Sequence, residues 1–402
     1  MVLIKTTIQE MDRKYELTRN NKLITMIMMA IGAVAIVMGF MTDHTRAWAV
    51  LLQNNFYFTA IALCGTFFMA VNYVAQAGWA VGIKRVPEAM GGFLKYGMLG
   101  MILIFAFGHH DLYHWTHTEL YVKGGPEYDS ILAGKRGFLN IPFFTIRIIA
   151  YSLIWVGFTH MLRKQSLMED AEGGYTFYKK SITLSAIFIV LFAITSSTSA
   201  WDFLMSVDAH WFSTLFGWYA FAGLFVSGLA MMCLIILYLR KKGYMGHVSE
   251  NHLHDVGKFM FAFSVFWTYL WFSQFMLIWY ANLPEEVVYY QIRWTYFRSL
   301  WILNFLVNFI APFLVLMTRD AKRQTQILWV AGVIIICGHW LDVYMMVMPG
   351  TVGPDWHIGF IEIGTAIGFL GAFLLSTLSE LSKAALVPKN HPMLGESLQH
   401  HI

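Results

Sequence analysis

Ten long apolar stretches alternate with short polar segments along this chain of 402 residues. An apolar stretch of about 20 residues can cross a bilayer as an α-helix. The pattern therefore predicts transmembrane helices at residues 23–41, 50–80, 91–108, 141–162, 181–207, 212–239, 257–281, 295–318, 326–348 and 357–381. The connections are too short for a soluble domain, so residues 1–402 are predicted to form a single all-α membrane domain. Glycine and proline within residues 348–354 predict a turn after the ninth helix.

Five short runs of polar and ionisable residues fall near the ends of these predicted helices. They are residues 109–117, 201–210, 281–286, 339–342 and 357–362. Ionisable groups at or near membrane depth are costly, so they indicate function until a structural role is found. If the chain starts in the cytoplasm, all five runs lie in the outer part of the membrane or just beyond it.

The distribution of positive charge predicts this orientation. Only 13% of the residues are charged, against about 25% in soluble domains. Cytoplasmic loops of membrane proteins are enriched in lysine and arginine. Most of the 28 lysine and arginine residues fall in alternate segments, beginning with the basic residues Lys5 to Lys22 before the first helix. Both termini are therefore predicted to be cytoplasmic, and the first apolar stretch, which lacks a cleavage site, is predicted to be retained.

The cysteine and histidine patterns argue against a redox centre within this chain. Cys64, Cys233 and Cys337 all lie in predicted helices, and no CxxC or CxxCH motif occurs. Covalent haem, a bound iron–sulfur cluster and a disulfide framework are therefore not expected. A b-type haem needs two axial histidines at matching depth, and only His339 lies near the middle of a predicted helix. No familiar metal-ligand motif and no nucleic-acid-binding motif is found.

Four ionisable residues within or at the ends of the predicted helices are candidate functional residues: His339, Asp342, Asp202 and Glu362. His339 and Asp342 are three residues apart and share one helix face. Such a pair can relay protons or hold a quinone headgroup, or it can be a local contact that fixes helix packing. Polar groups in lipid need partners in either case.

The other two candidates also have a functional and a structural interpretation. Asp202 either lines a polar cavity or pairs with Arg147 or Arg298, and the ion pair with Arg147 is slightly favoured. Glu362 is predicted to lie about one and a half turns inside the last helix. At that depth it must be protonated or hydrogen-bonded.

A further set of polar residues is predicted to form a rim that faces quinone or partner subunits. Its members are His110, Asp111, His114, His117, Arg147, Asp208, Glu285 and Glu286. The three histidines are spaced i, i+4, i+7 and share a face with Tyr113 if the third helix continues beyond the membrane. Histidine exchanges protons near physiological pH, which suits quinone or proton chemistry. A hydrogen-bonded rim that anchors the protein at the membrane surface is the alternative.

Five segments combine aromatic, glycine and charged residues in a distinctive way. They are 78–90 (GWAVGIKRVPEAM), 113–117 (YHWTH), 201–206 (WDFLMS), 211–219 (WFSTLFGWY) and 272–286 (FSQFMLIWYANLPEE). They resemble the NrfD/PsrC-like membrane subunits of bacterial alternative complex III, a quinol:cytochrome c oxidoreductase. The similarity covers nearly the whole chain, and the length and the segment 113–115 most resemble the ActF-type subunit.

The resemblance implies two four-helix bundles, helices 2–5 and 6–9, flanked by helices 1 and 10, in the bacterial inner (cytoplasmic) membrane. It implies a subunit of a quinol-oxidising complex that passes electrons to cytochrome c or to an oxidase. The implied partners are a second NrfD-like subunit, periplasmic iron–sulfur and multihaem cytochrome c subunits, a terminal oxidase and membrane lipids. Haem and iron–sulfur clusters are expected in those partners. A quinone such as menaquinol is a candidate ligand of this chain, although the resemblance makes the larger ActC-type subunit the better candidate for quinol binding. The resemblance also implies proton conduction, for which His339, Asp342, Asp202 and Glu362 are the candidate relay.

Two other classes of function remain open. A pure assembly scaffold would use the polar groups as partner contacts and as bonds between helices. A proton-coupled transporter would favour helices broken by mid-membrane glycine or proline, together with internal repeats. Proline is scarce, and only Pro312 lies well inside a predicted helix, so the transporter ranks last.

Overall fold

The computed structural model describes residues 12–401, so Lys5 lies outside the described residues. Ten helices in this part of the chain are long and apolar enough to cross a bilayer, as a multi-pass membrane protein requires. They are α1 (Arg19–Thr42), α2 (His44–Val74), α3 (Arg85–Leu112), α4 (Ile141–Glu172), α5 (Tyr175–Phe203), α6 (Phe216–Lys241), α7 (Glu250–Ala281), α8 (Arg298–Leu316), α9 (Thr325–Thr351) and α10 (Phe360–Leu381). The predicted number and order of the helices are confirmed.

The end of α2 differs from the prediction. The helix was predicted to reach residue 80 but ends at Val74, and a separate 3-10 helix covers Gly78–Ile83. Gln76 between them has a φ of 51°, which breaks the helix. Gly78 also lies so close to the Glu396 carboxylate that a Cβ there would be 2.3 Å from it. A contact with the distant C-terminal tail therefore accompanies this break.

The turn predicted at residues 348–354 begins only at Val352, because α9 continues through Pro349 to Thr351. A proline within a helix removes the hydrogen bond to the carbonyl four residues earlier. Here that carbonyl belongs to Met345, and it accepts a hydrogen bond from Nε of Arg293 at 3.3 Å. An arginine from another element thus replaces the missing backbone donor, so the helix can continue.

The helices form two neighbouring groups that meet at α2. In the first group α2 contacts α3 and α5, and α4 contacts α3 and α5 as well. In the second group α6 contacts α7 and α9, and α8 contacts α7 and α9. Helix α2 also contacts α6 and α9, whereas α1 packs mainly against α10.

The pairing of α1 with α10 depends on facing glycines. A Cβ on Gly32 would lie 2.4 Å from the Cα of Gly368, and one on Gly364 would lie 2.7 Å from the Cβ of Ala35. Small residues allow helix backbones to approach closely in a membrane, where van der Waals packing drives association. The first and last spanning helices are therefore held together by backbone contact.

Alanine at Gly32 is expected to destabilise the protein by about 1–3 kcal/mol, because overpacking forces the two backbones apart. The matched control is Gly157→Ala on α4, where no atom lies within 4 Å of the added Cβ. That change should be neutral or stabilising, since alanine favours a helix more than glycine does. The measurement is the free energy of unfolding in mixed micelles. Equal effects of the two substitutions would contradict the close packing.

Both described ends of the chain lie at one end of the helix bundle. Residues 12–18 and 382–401, here called the tail end, are joined by a β-bridge between Lys14 and Ala385. Ser397 in the tail accepts a hydrogen bond from the Gly82 amide at 2.9 Å and donates to the Trp79 carbonyl at 2.8 Å. The C-terminal tail is thus bonded to the segment that connects α2 to α3.

The imidazole of His391 lies within this tail packing. It is 6% exposed, it lies against the rings of Tyr73 and Tyr178, and its Nδ1 accepts a hydrogen bond from the Met393 amide. Burial lowers the pKa of His391 to about 2, and the cation of Lys84 acts in the same direction. The docked tail therefore holds a neutral histidine.

The docked tail should loosen at acidic pH. An undocked His391 takes up a proton below about pH 6.5, whereas the docked imidazole does not. The tail is therefore docked most stably above about pH 6.5. Below that pH, the equilibrium constant for docking falls by up to about tenfold per pH unit. Hydrogen–deuterium exchange of residues 391–398, corrected for the intrinsic rate, measures this. His391→Gln should remove the pH dependence, and an unchanged dependence in that variant would contradict the assignment to His391.

Candidate functional site

The polar runs meet at the end of the bundle opposite the tail end. Two of the runs are joined directly, by a hydrogen bond from Tyr113 Oη to the Phe203 carbonyl at 3.2 Å. Other contacts at this end are His44 Nδ1 to Asp111 Oδ2 at 3.1 Å, Arg293 Nη2 to Asp208 Oδ2 at 3.1 Å and Trp356 Nε1 to the Tyr296 carbonyl at 2.7 Å. We call this the His-rich end, comprising residues 109–117, 201–210, 281–296 and 351–360. Runs that are distant in sequence are therefore neighbours here.

The run on α9 lies deeper, and Asp342 is the centre of a buried cluster there. Its Oδ1 accepts hydrogen bonds from Asn304 at 2.8 Å and from the hydroxyl of Tyr219, and its Oδ2 accepts one from the indole of Trp267 at 2.9 Å. These donors come from α6, α7 and α8. The carboxylate of Asp342 therefore joins all four helices of the second group through donors that carry no formal charge.

His339 lies beside this carboxylate without a hydrogen bond. Its Nδ1 is 3.8 Å from Oδ2 of Asp342, and neither ring nitrogen has a hydrogen-bond partner among residues 12–401. Twelve residues separate His339 from the end of α9, which corresponds to about 18 Å of helix. A Cβ on Gly223 of α6 would lie 3.1 Å from His339 Nδ1, so that glycine makes room for the ring. The side chain is 1% exposed.

Helix α8 is irregular where it meets this cluster. Residues Leu306–Ile310 form a π-helical turn just before Pro312, which cannot donate to the Asn308 carbonyl. Within this turn Asn308 donates to Oδ1 of Asn304 at 2.7 Å and to the Gly338 carbonyl at 3.0 Å. Such π-turns occur frequently at functional sites. The side-chain amides of Asn304 and Asn308 therefore form a hydrogen-bonded chain that ends at Asp342.

A small cavity lies between the cluster and the His-rich end. It measures about 20 Å³ and is lined by polar side chains that include Tyr219, Gln274, Tyr290, Arg293 and Asn304. A polar space of this size can hold about one water molecule. Tyr219 and Asn304 are both donors to Asp342, so the cavity lies directly beside the cluster.

Arg293 closes the cavity towards the His-rich end. This guanidinium is 3% exposed and lies 3.2 Å from the ring centroid of Tyr289. It donates to Asp208 Oδ2 at 3.1 Å and to the Tyr289 carbonyl at 3.0 Å. Burial raises the pKa of Tyr289 while Arg293 opposes that rise. Asp208 was predicted as a rim residue, whereas Arg293, its partner, was overlooked among the loop cations.

Asp202 belongs to a separate cluster in the first group of helices. Arg147 donates from Nε to Oδ2 and from Nη2 to Oδ1, both at 2.8 Å, and Tyr151 donates to Oδ2 at 2.7 Å. The ion pair between Arg147 and Asp202 is therefore confirmed. Arg298 instead lies over the ring of Trp294.

Glu362 does not lie deep, contrary to the prediction. Helix α10 begins at Phe360, so Glu362 is in its first turn and accepts a hydrogen bond from the Gly359 amide at 2.8 Å. Arg46 on α2 donates to Glu362 from Nε at 2.7 Å and from Nη2 to the His357 carbonyl at 2.7 Å. The glutamate thus fixes the start of α10 against α2. Arg46 had been counted as a loop cation.

The predicted histidine face is wrong, because α3 ends at Leu112. Tyr113 is buried in an extended conformation rather than sharing a face with the histidines. The rings of His110 and His117 nevertheless stack at 4.0 Å, and His114 lies 5.3 Å from His117. The three histidines therefore meet through a turn.

The remaining predicted rim residues are exposed or partly exposed. Asp111 contacts His44, and the first turn of the helix Pro284–Tyr296 carries Glu285, which is exposed, and Glu286, which is partly exposed. The four proposed relay residues do not form one site. Asp202, Glu362 and the His339–Asp342 pair belong to three separate clusters, and only the third lies far from the helix ends.

A dense ion-pair network towards the tail end had not been predicted. Lys84 contacts Glu169 at 3.3 Å, Arg85 donates to Glu88 at 2.7 Å, and Arg163 also binds Glu88. The side chains of Lys84 and Arg85 are only 1% exposed. The sequence pattern that could have predicted this network is the pair of consecutive cations Lys84 and Arg85 followed closely by Glu88. Its members connect the start of α3 with α4.

Within residues 12–401 no group of three or more His, Cys, Asp or Glu side chains is placed to hold a metal ion. Comparison with family models and with curated proteins finds no match. The chemistry of the clusters is therefore the basis for assigning a function.

Substitution of Asp202 by asparagine is expected to destabilise the protein by about 3–5 kcal/mol, because it leaves Arg147 as an unpaired buried charge. Replacement of both residues, as Arg147→Met with Asp202→Leu, should recover much of that loss. The measurement is the free energy of unfolding in mixed micelles.

The control is Glu380→Gln, which breaks the more exposed pair between Lys383 and Glu380. That change should cost less than about 1 kcal/mol. Two results would contradict this role of the buried pair. One is a loss in the free energy of unfolding for Asp202→Asn that is no larger than that for Glu380→Gln. The other is a double variant that is less stable than Asp202→Asn alone.

Proposed function

We propose that this protein is a membrane subunit of a quinol-oxidising electron-transfer complex and that it conducts protons through the Asp342 cluster. The observation that carries the proposal is the pairing of Asp342 with His339 deep in the second group of helices. Asp342 has no lysine or arginine partner, and His339 has no hydrogen bond within residues 12–401. A buried ionisable pair at membrane depth is a functional hypothesis by default.

The chemistry suits proton transfer rather than electron transfer. A histidine and a carboxylate 3.8 Å apart can exchange one proton after a small movement of either side chain. Tyr219 and Asn304 bind Asp342 and also line the cavity, which has room for about one water. We infer a path from His339 and Asp342 through this cavity to Arg293 and Asp208. Protons would then be released at the His-rich end.

The helix contacts support the finer architecture that the resemblance implies. Two cyclic groups, α2–α5 and α6–α9, correspond to two four-helix bundles, and α1 with α10 forms the flank. Both described chain ends lie at the tail end, which we propose faces the cytoplasm of a bacterium. The lysines and arginines concentrated on that side support this orientation.

The exposed rim suits partner subunits. His110, His114, His117, Glu285 and Glu286 lie at the His-rich end, where periplasmic iron–sulfur and multihaem cytochrome c subunits would dock. We propose that these partners, together with a second NrfD-like subunit and a terminal oxidase, hold the redox centres. The quinone, menaquinol or another, would be oxidised close to this end, so the protons it releases would reach the same surface.

A second candidate is an assembly scaffold without a proton path. The observation that favours it is that two predicted relay carboxylates, Asp202 and Glu362, are held by arginines from other helices. Such pairs fasten helices together and need no proton movement. The two functions differ in whether the Asp342 cluster can be altered without loss of turnover.

Asp342→Asn should lower quinol-driven proton release at least about tenfold in the complex purified from native membranes, because the amide cannot carry a proton. His339→Leu should have an effect of similar size. Proton release and cytochrome c reduction are recorded together with the subunit composition. Haem and iron–sulfur clusters should co-purify in other subunits, and a preparation without them would contradict the proposed complex.

The matched control is Ser264→Ala, which alters a fully buried polar residue on α7 outside the cluster. This variant should retain turnover. If Asp342→Asn and His339→Leu also retain full turnover and proton release in an intact complex, the proton path is wrong and the scaffold is the better assignment.

A further inference from the structure

A second and larger cavity lies at the His-rich end, on the first group of helices. It measures about 370 Å³, within the range of about 300–1,000 Å³ that is common for small-molecule sites. Its walls are mostly apolar and include Phe138, Leu139, Trp201, Met205, Trp211 and Phe212. An apolar cavity of this size suits a hydrocarbon chain rather than water.

The cavity lies beside the end of α5. Trp201 lies two residues before the end of α5, a helix long and apolar enough to span the bilayer. The rings of Phe138 and Phe212 on the cavity wall are 38% and 56% exposed. A molecule that enters between them could come directly from the lipid phase, since tryptophan and other aromatic side chains are enriched at the membrane interface.

One cation lines this otherwise apolar cavity. Lys135 donates from Nζ to the Ala209 carbonyl at 2.7 Å and to the His210 carbonyl at 2.9 Å. A lysine ammonium has three donors, so one remains for a ligand. Arg136 is adjacent in sequence and exposed. The ammonium of Lys135 complements a negatively charged headgroup, whereas the guanidinium of Arg136 lies over the ring of Tyr121.

Two tryptophans on the wall have buried indole N–H groups that lack acceptors. Nε1 of Trp201 and Nε1 of Trp211 have no hydrogen-bond partner among residues 12–401. A buried tryptophan N–H usually finds a partner. Trp211 is 5% exposed and its ring is fixed by stacking on Tyr289 at 3.8 Å. Both nitrogens are enclosed by protein atoms, so the two indole rings contribute apolar surface to the cavity rather than donors for a ligand.

We propose that this cavity binds an anionic phospholipid, with one acyl chain between the apolar walls and the phosphate on Lys135. The class of ligand follows from two features together: the apolar volume and the remaining ammonium donor of Lys135. The site is distinct from the Asp342 cluster and does not depend on the proposed proton path.

Occupation of the cavity would also affect the first group of helices. Phe138 forms part of the cavity wall, and its carbonyl accepts a hydrogen bond from Nη1 of Arg147 at 3.1 Å. The guanidinium of Arg147 lies 4.0 Å from the centroid of the Phe138 ring. A bound lipid chain would therefore press Phe138 onto the arginine that holds Asp202.

The test uses the full-length protein in vesicles with a trace of phosphatidylglycerol that carries a photoreactive diazirine in one acyl chain. Crosslinked peptides are identified by mass spectrometry and should fall within residues 134–139 and 201–214. Gly134→Leu should lower this labelling at least about fivefold. Gly134 lines the cavity and has open space around its Cβ position, so leucine fills the cavity without a clash.

The matched control for volume is Gly157→Leu, which adds the same side chain in open space away from the cavity and should leave labelling unchanged. The headgroup is tested with Lys135→Gln, which should reduce the preference for phosphatidylglycerol over phosphatidylcholine about fivefold. Lys123→Gln, an exposed lysine on a nearby loop, should not.

Three results would overturn the proposal. Labelling that persists in Gly134→Leu would place the lipid elsewhere. Equal labelling by phosphatidylglycerol and phosphatidylcholine in the unaltered protein would show that no anionic headgroup is recognised. Displacement of the probe by a short-chain quinone but not by excess unlabelled phosphatidylglycerol would assign the cavity to a quinone instead.

Discussion

The structure depends on one constraint, which is that no charge can remain without a partner inside a bilayer. Asp202, Asp208 and Glu362 each receive a guanidinium from a different element, and these three pairs secure the helix ends at the His-rich end. The network around Glu88 does the same for the start of α3 and for α4. Because removal of one member leaves the other exposed to a low dielectric, each pair holds two elements in register.

Asp342 satisfies the same constraint in another way. It is bonded to a phenol, an indole and an amide, and His339 is the basic side chain within 4 Å of it among residues 12–401. Ion pairs with arginine join the helix ends. The centre of the second group is instead joined by hydrogen bonds from uncharged donors to the Asp342 carboxylate. The π-turn of α8 and the Arg293 bond to Met345 both adjust the backbone around this centre.

The sequence predicted the helices well because each one is a local property: about 20 apolar residues suffice to define a span. It predicted the Arg147–Asp202 pair because both residues lie visibly within apolar stretches. It missed Arg46 and Arg293, which resemble loop cations until the adjoining helices are placed beside them. The errors at Glu362 and at the histidines have the same origin. Where a helix starts or stops at the His-rich end is decided by partners distant in sequence.

The glycine contact between α1 and α10 has a consequence for biosynthesis. More than 300 residues separate Gly32 from Gly368, so the first helix enters the membrane long before its main partner has been made. Until then its glycine face is available to lipid, to the insertion machinery or to another nascent chain. The last helix therefore completes the assembly, and ribosomal stalling before residue 360 would leave an open molecule. Quality control could distinguish finished from unfinished chains by that single exposed face.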